Sequence, residues 1–143
     1  MCHGLEPAVR ISLRRPSLTR DAVPEVDFGS LMDRVSRGDR EAFAVLYDQT
    51  SGPVRDRIQA RLVHPHSTTT LVAAVYVEVW WLAGCYAGPP SGVTGWIHGI
   101  AERRLRDRRP QPPVPAASTE RTIEVRELAD LLGRAPEELT SYR

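Results

Sequence analysis

From Gly95 to Arg109 the chain reads GWIHGIAERRLRDRR, and its apolar residues fall at the spacing of one helical face. Trp96, Ile97, Ile100, Ala101 and Leu105 recur at offsets of three and four, which a strand with its period of two cannot bring together. Arg103, Arg104, Arg106, Arg108 and Arg109 crowd the last two turns. A helix with one apolar face and a cationic end has to pack on other helices while keeping that end accessible.

The same period organises the preceding residues. Phe28, Leu31, Met32 and Val35 follow the i, i+3, i+4, i+7 rule behind Asp27, a candidate N-cap, and Gly38 supplies a C-terminal stop. Asp39 is placed to cap a second helix, with Glu41 in its first turn and Ala42, Phe43, Leu46 and Tyr47 as its inner face. Ser51-Gly52-Pro53 is expected to interrupt or kink it before Val54, Ile58 and Leu62 resume the spacing. His64-Pro65-His66 reads as a turn, with Ser67 to Thr70 capping the next segment. Leu71 to Leu82 is rich in valine, yet Leu71, Val72, Val75, Tyr76, Val79 and Trp80 keep a helical period, so the segment is expected to be helix. Gly84 to Gly92, GCYAGPPSG, is expected to be loop.

These segments predict an all-α fold: a four-helix domain over residues 25–110, after a disordered leader at 1–24 that contains Pro7, Pro16 and Pro24. Residues 111–117 form a proline-rich linker, and 118–143 a short amphipathic helical tail. In that tail Ser118 or Thr119 is the expected cap, Ile123, Leu128, Leu131 and Leu132 the apolar face, Gly133 the stop, and Pro136 the start of a further turn. So short a segment cannot build a core of its own, so it docks on the body or binds a partner through those four residues.

Charge and chemistry narrow the function. The 143 residues carry a net charge of +1, so attraction to nucleic acid must come from local clustering. All 19 basic residues are arginine, and Cys2 and Cys85 are too few for a disulfide framework, as expected of a cytoplasmic protein. No segment approaches the ~18 apolar residues of a membrane span, so no membrane partner is expected. No nucleophile elbow, phosphate-cradling glycine loop or paired catalytic carboxylates appear, which argues against an enzyme. His64 and His66 lack a second ligand pair, so no metal and no cofactor are expected.

Three stretches together resemble region 2 of the extracytoplasmic-function group of bacterial RNA polymerase sigma factors: DRVSRGDREAFAVLYDQT (33–50), LVAAVYVEVWW (71–81) and WIHGIAERRLRDRR (96–109). The resemblance spans roughly residues 28–110. It implies core RNA polymerase as partner, met through the third helix, and the single-stranded −10 region of promoter DNA, met through the following loop and the fourth helix. Single strands need stacking rings and a cationic track, and Trp80, Trp81, Tyr86 and Trp96 are candidates for the first. Arg103, Arg104, Arg106, Arg108 and Arg109 are candidates for the second, or cations complementing the helix C-terminal dipole. A pocket for a flipped base is expected in the Gly84 to Gly92 loop. Adjacent tryptophans cannot share one face, so Trp81 is expected to be exposed, with Trp96 mainly in the core.

The chain departs from the family where polymerase contacts are expected. Thr70, Ala73 and Ala74 stand in place of Asp, Gln and Glu, with Glu78 one turn on; Arg103 replaces an asparagine. The tail is too short for region 4, so a second polypeptide is expected to supply upstream promoter recognition. The alternative is a sigma-fold interaction module that binds an anti-sigma factor or another regulator and no longer touches promoter DNA.

Overall fold

Two aspartates set the start of the bundle in the computed structural model, which describes residues 26–62, 65–108 and 122–140. Asp27 accepts the Ser30 N–H at 3.1 Å to open α1 (Phe28–Ser36), and Gly38, at φ +88°, turns the chain out of it. Asp39 then accepts the Ala42 N–H at 3.1 Å to open α2 (Arg40–Gln59).

Of the two outcomes expected at Ser51-Gly52-Pro53, interruption does not occur: α2 continues as helix through Pro53. The proline costs about 3 kcal/mol in a helix interior. Val54 and Ile58, both fully buried beyond it, together contribute about as much or more, at ~1.5–3 kcal/mol each. Thr50 also bonds across the region. Its hydroxyl donates to the Leu46 carbonyl at 2.8 Å and accepts from the Tyr76 hydroxyl at 2.6 Å.

α3 (Pro65–Leu82) begins six residues before Leu71. Ser67 to Thr70 therefore lie inside the helix instead of capping it, and Thr68 and Thr69 are buried. Pro65 suits the first helical position, which needs no N–H donor. His64 and the side chain of His66 lie outside the described residues. The apolar stretch from Ser67 to Cys85 is long enough to cross a bilayer, contrary to the expectation that no segment is, but half of it is buried within the bundle. The segment expected as plain loop holds two short 3-10 turns, Ala83–Cys85 and Pro90–Gly92.

α4 (Val93–Asp107) buries Val93, Ile97, Ile100 and Ala101. It ends before Arg108, whose backbone is extended; Arg109 lies outside the described residues. Glu102 ties α4 to α2, accepting from Arg57 at 3.1 Å and Arg61 at 2.5 Å.

α5 (Ile123–Leu132) is capped by Thr122, which accepts the Val125 N–H at 3.3 Å. The expected caps, Ser118 and Thr119, lie outside the described residues, as do the leader at 1–24 and the linker at 111–117. Gly133, at φ +69°, ends α5, and α6 (Pro136–Thr140) follows. Val125, Leu128, Ala129, Leu131, Leu132 and Leu139 are all buried in the same core as the first four helices. Of the two fates open to the tail, this is docking on the body. α5 contacts α3 most extensively, then α2. Arg134 pins the end of α5, donating to both carboxylate oxygens of Asp48 at 3.0 and 2.8 Å and lying 5.8 Å from the Tyr47 ring centre. Arg40 donates to the Asp130 carbonyl at 3.2 Å.

Candidate nucleic-acid and partner interface

Four aromatic residues have different environments. Trp80 is partly buried, with its ring edge-on to Phe43 at 5.2 Å. Trp81, on a different side of α3, is 68% exposed. Tyr86 and Trp96 pack on each other, ring centres 5.3 Å apart, and both lie partly buried against the core. The Tyr86 hydroxyl donates to the Pro89 carbonyl. That hydroxyl fills the inside of the Gly84 to Gly92 loop, where a flipped-base pocket was expected. An open depression at this loop is lined by Val26, Asp27, Phe28, Pro90 and Ser91.

The arginines also separate. Arg103 and Arg104 both reach across to Glu78, the one charged residue of α3. Arg103 Nη1 donates to Glu78 Oε2 at 3.1 Å, and its Nη2 donates to the same oxygen. Arg104 Nε donates to Oε1 at 2.7 Å. The Glu78 side chain is only 17% exposed, so two cations around one carboxylate leave a net positive centre there. Leu71, Asp107 and Arg108 complete this shallow depression. Arg106 is exposed on α4. Trp81 lies three residues after Glu78, and i, i+3 residues are neighbours on a helix surface. The site thus combines a bare indole, one helical turn from Glu78, with two guanidiniums held by that carboxylate.

Sequence reasoning placed Glu78 among the polymerase contacts and missed its arginines. The signal was available: a lone carboxylate on an apolar helix requires a cationic partner when half-buried. Of the other residues assigned to polymerase, Ala73 and Ala74 are buried at 1% and 7% exposure, and the Thr70 hydroxyl oxygen is enclosed without a hydrogen-bond partner. Of the four tail residues, Leu128, Leu131 and Leu132 face the core, and Ile123 is 74% exposed.

His98 on α4 is partly enclosed, and its Nδ1 is buried with no partner. Burial, then the nearby positive charge of Arg57, hold its pKa below the ordinary imidazole value, with Glu102 opposing. The bond from Arg57 keeps the Glu102 carboxyl below its usual range.

A helical bundle with this third and fourth helix is an all-α, sigma region 2-like domain. Comparison with known proteins agrees. The chain is 30% identical over 82 residues to the ECF RNA polymerase sigma factor SigK of Mycobacterium ulcerans, a match that covers 57% of this chain and 44% of that protein. It is 32% and 33% identical, over 82 residues each, to the SigK proteins of Mycobacterium sp. strain KMS and Mycolicibacterium vanbaalenii, covering 57% of this chain and 42% of each. The chain thus contains an ECF sigma-factor-like region, and the match spans less than half the length of these relatives. No family model matches the chain. No solved structure gives a significant match.

Proposed function

We propose that this protein is a cytoplasmic, sigma-factor-like regulator of transcription initiation that engages the unpaired −10 strand of promoter DNA and core RNA polymerase, with no cofactor and no catalysis of its own. The carrying observation is the exposed Trp81 ring one turn along α3 from Glu78, the carboxylate that holds Arg103 and Arg104. A base stacks on the indole, while Arg104, Arg106 and Arg108 offer cations to the phosphates on either side. Trp80 and Trp96 support the site from the core, since their rings are packed against Phe43 and Tyr86. Polymerase is met along α3, the helix that carries Thr70, Ala73, Ala74 and Glu78.

A titration of Trp fluorescence with a single-stranded −10 oligonucleotide tests the DNA half. Three or four engaged phosphates give a log–log salt slope of about −2 to −3. Binding that is absent, or indifferent to salt, refutes it.

One observation favours a second reading. Ala73 and Ala74 are buried, so in this conformation the polymerase-facing positions are inaccessible. On that reading the domain is an interaction module for an anti-sigma factor or other small regulator. Affinity purification from cells separates the two, through recovery of polymerase subunits or of a small regulator alone.

A further inference from the structure

α3 has three sides, and named contacts occupy two. Tyr76 and Trp80 meet α2 through Thr50 and Phe43, and Glu78 meets α4 through Arg103 and Arg104. The third side is the stripe Thr70, Ala73, Ala74 and Val77, at i, i+3, i+4 and i+7. Ala73 of this stripe packs in, and Val77 against, the buried cluster that holds the α5 residues, and the most extensive contact of α5 is with α3. Small side chains at such a crossing let two helix axes approach closely. Ala73 belongs to the same buried cluster as Val125 and Leu128, and Ala74 is itself 7% exposed, so a glutamine at 73 or a glutamate at 74 would bury a polar or charged group with no compensating partner. The alanines and the docked tail belong together.

We infer that α5 and α6 are an intrachain competitor for the partner face of α3: docked, they occupy the stripe, and polymerase engages it only once residues 122–140 move off. The inference rests on the reading of α3 as the polymerase-facing helix. Buried Val125, Leu128 and Leu139 hold the cover down, so only a partner that reburies the face of α3 displaces it, and three features lower the cost. Its side-chain pins, Arg134 to Asp48 and Arg40 to the Asp130 carbonyl, lie at the surface, where such contacts are weak. Helices of 10 and 5 residues do not persist alone, so the order of the tail depends on the face it covers. Finally, the stripe continues at i+11 to Trp81, which is uncovered, so one end of the face is open.

Hydrogen exchange on the full chain, with and without core RNA polymerase, tests this alongside polymerase affinity for the parent chain, Ala74→Glu and Arg134→Ala. The expected result is that polymerase strips protection from amides 123–132 and leaves 40–59 protected. Ala74→Glu releases the tail without polymerase and binds polymerase more tightly than the parent chain does. Arg134→Ala raises affinity roughly two- to fivefold. Polymerase binding that leaves 123–132 protected overturns the inference and spares the reading of α3. Equal affinity in all three chains, with the tail released in Ala74→Glu, overturns it as well. If no chain binds, including one with a released tail, the reading of α3 falls and takes the inference with it. Should Ala74→Glu lose protection throughout 40–59, and so fail to fold, Arg134→Ala decides, since it removes the Asp48 pair and the contact over Tyr47 but no buried apolar side chain of α5.

Discussion

Arg104 Nε lies 2.7 Å from Glu78 Oε1, so the cation best placed for a phosphate is already bonded to a carboxylate. Glu78 holds Arg104 and Arg103 in one orientation and also competes with any DNA phosphate for them. The two effects have different signatures in binding.

Replacing Glu78 with Gln removes the competing charge and keeps the shape. Affinity for a single-stranded −10 oligonucleotide should rise, and the salt slope should steepen by roughly 1.4 if both arginines become available, at about −0.7 per phosphate. Loss of the half-buried ion pairs should lower unfolding stability by about 1 kcal/mol or more. Fluorescence titration over a salt series and urea unfolding measure both.

Trp81→Ala and Trp80→Ala should differ in kind. Trp81 is exposed, so its removal should leave stability within about 0.5 kcal/mol and weaken single-strand binding by about 1–3 kcal/mol. Trp80 packs on Phe43, and its loss should cost about 3 kcal/mol of stability. Thermal unfolding and oligonucleotide titration of both variants separate stacking from packing.

His98 makes stability depend on pH. Its folded pKa lies below the ordinary 6.5, so as pH falls through 6.5 the unfolded chain takes up a proton that the folded chain refuses. Stability should therefore drop from pH 7.5 toward the lowered value and level off beneath it. Urea midpoints across that range should show the slope, and His98→Gln should remove it.

In the tail, Leu128→Ala should destabilise by about 2–5 kcal/mol, because the side chain is almost fully enclosed. Ile123→Ala, on the same helix but exposed, should change stability by less than about 0.5 kcal/mol. Denaturant unfolding of the pair tests whether α5 is part of the cooperative core.

The helices were legible wherever caps and period agreed. Asp27, Asp39, Gly38 and Gly133 mark their ends through local geometry, and the exposed Trp81 follows from two adjacent rings on one helix. Pro53 does not end α2 because local propensity is outweighed by burial on either side of it. Thr68 and Thr69 misled because hydroxyl residues favour caps, yet here they enter the core of a helix that Pro65 starts earlier. The Glu78 cluster and the seat of α5 are contacts over long sequence separations, and no spacing within one segment encodes them. Which side of α3 received the tail was written only in the smallness of Ala73 and Ala74.

The Tyr86 hydroxyl sits 2.7 Å from where a Cβ would project at residue 88 and 2.6 Å from the same point at residue 92. The connection between α3 and α4 is therefore moulded around one phenol from the inside. An alanine at Gly88 or Gly92 would force that ring to shift, and with it the partner that Trp96 leans on. A change to two of the plainest residues in the chain would thus be felt at the first turn of the arginine helix.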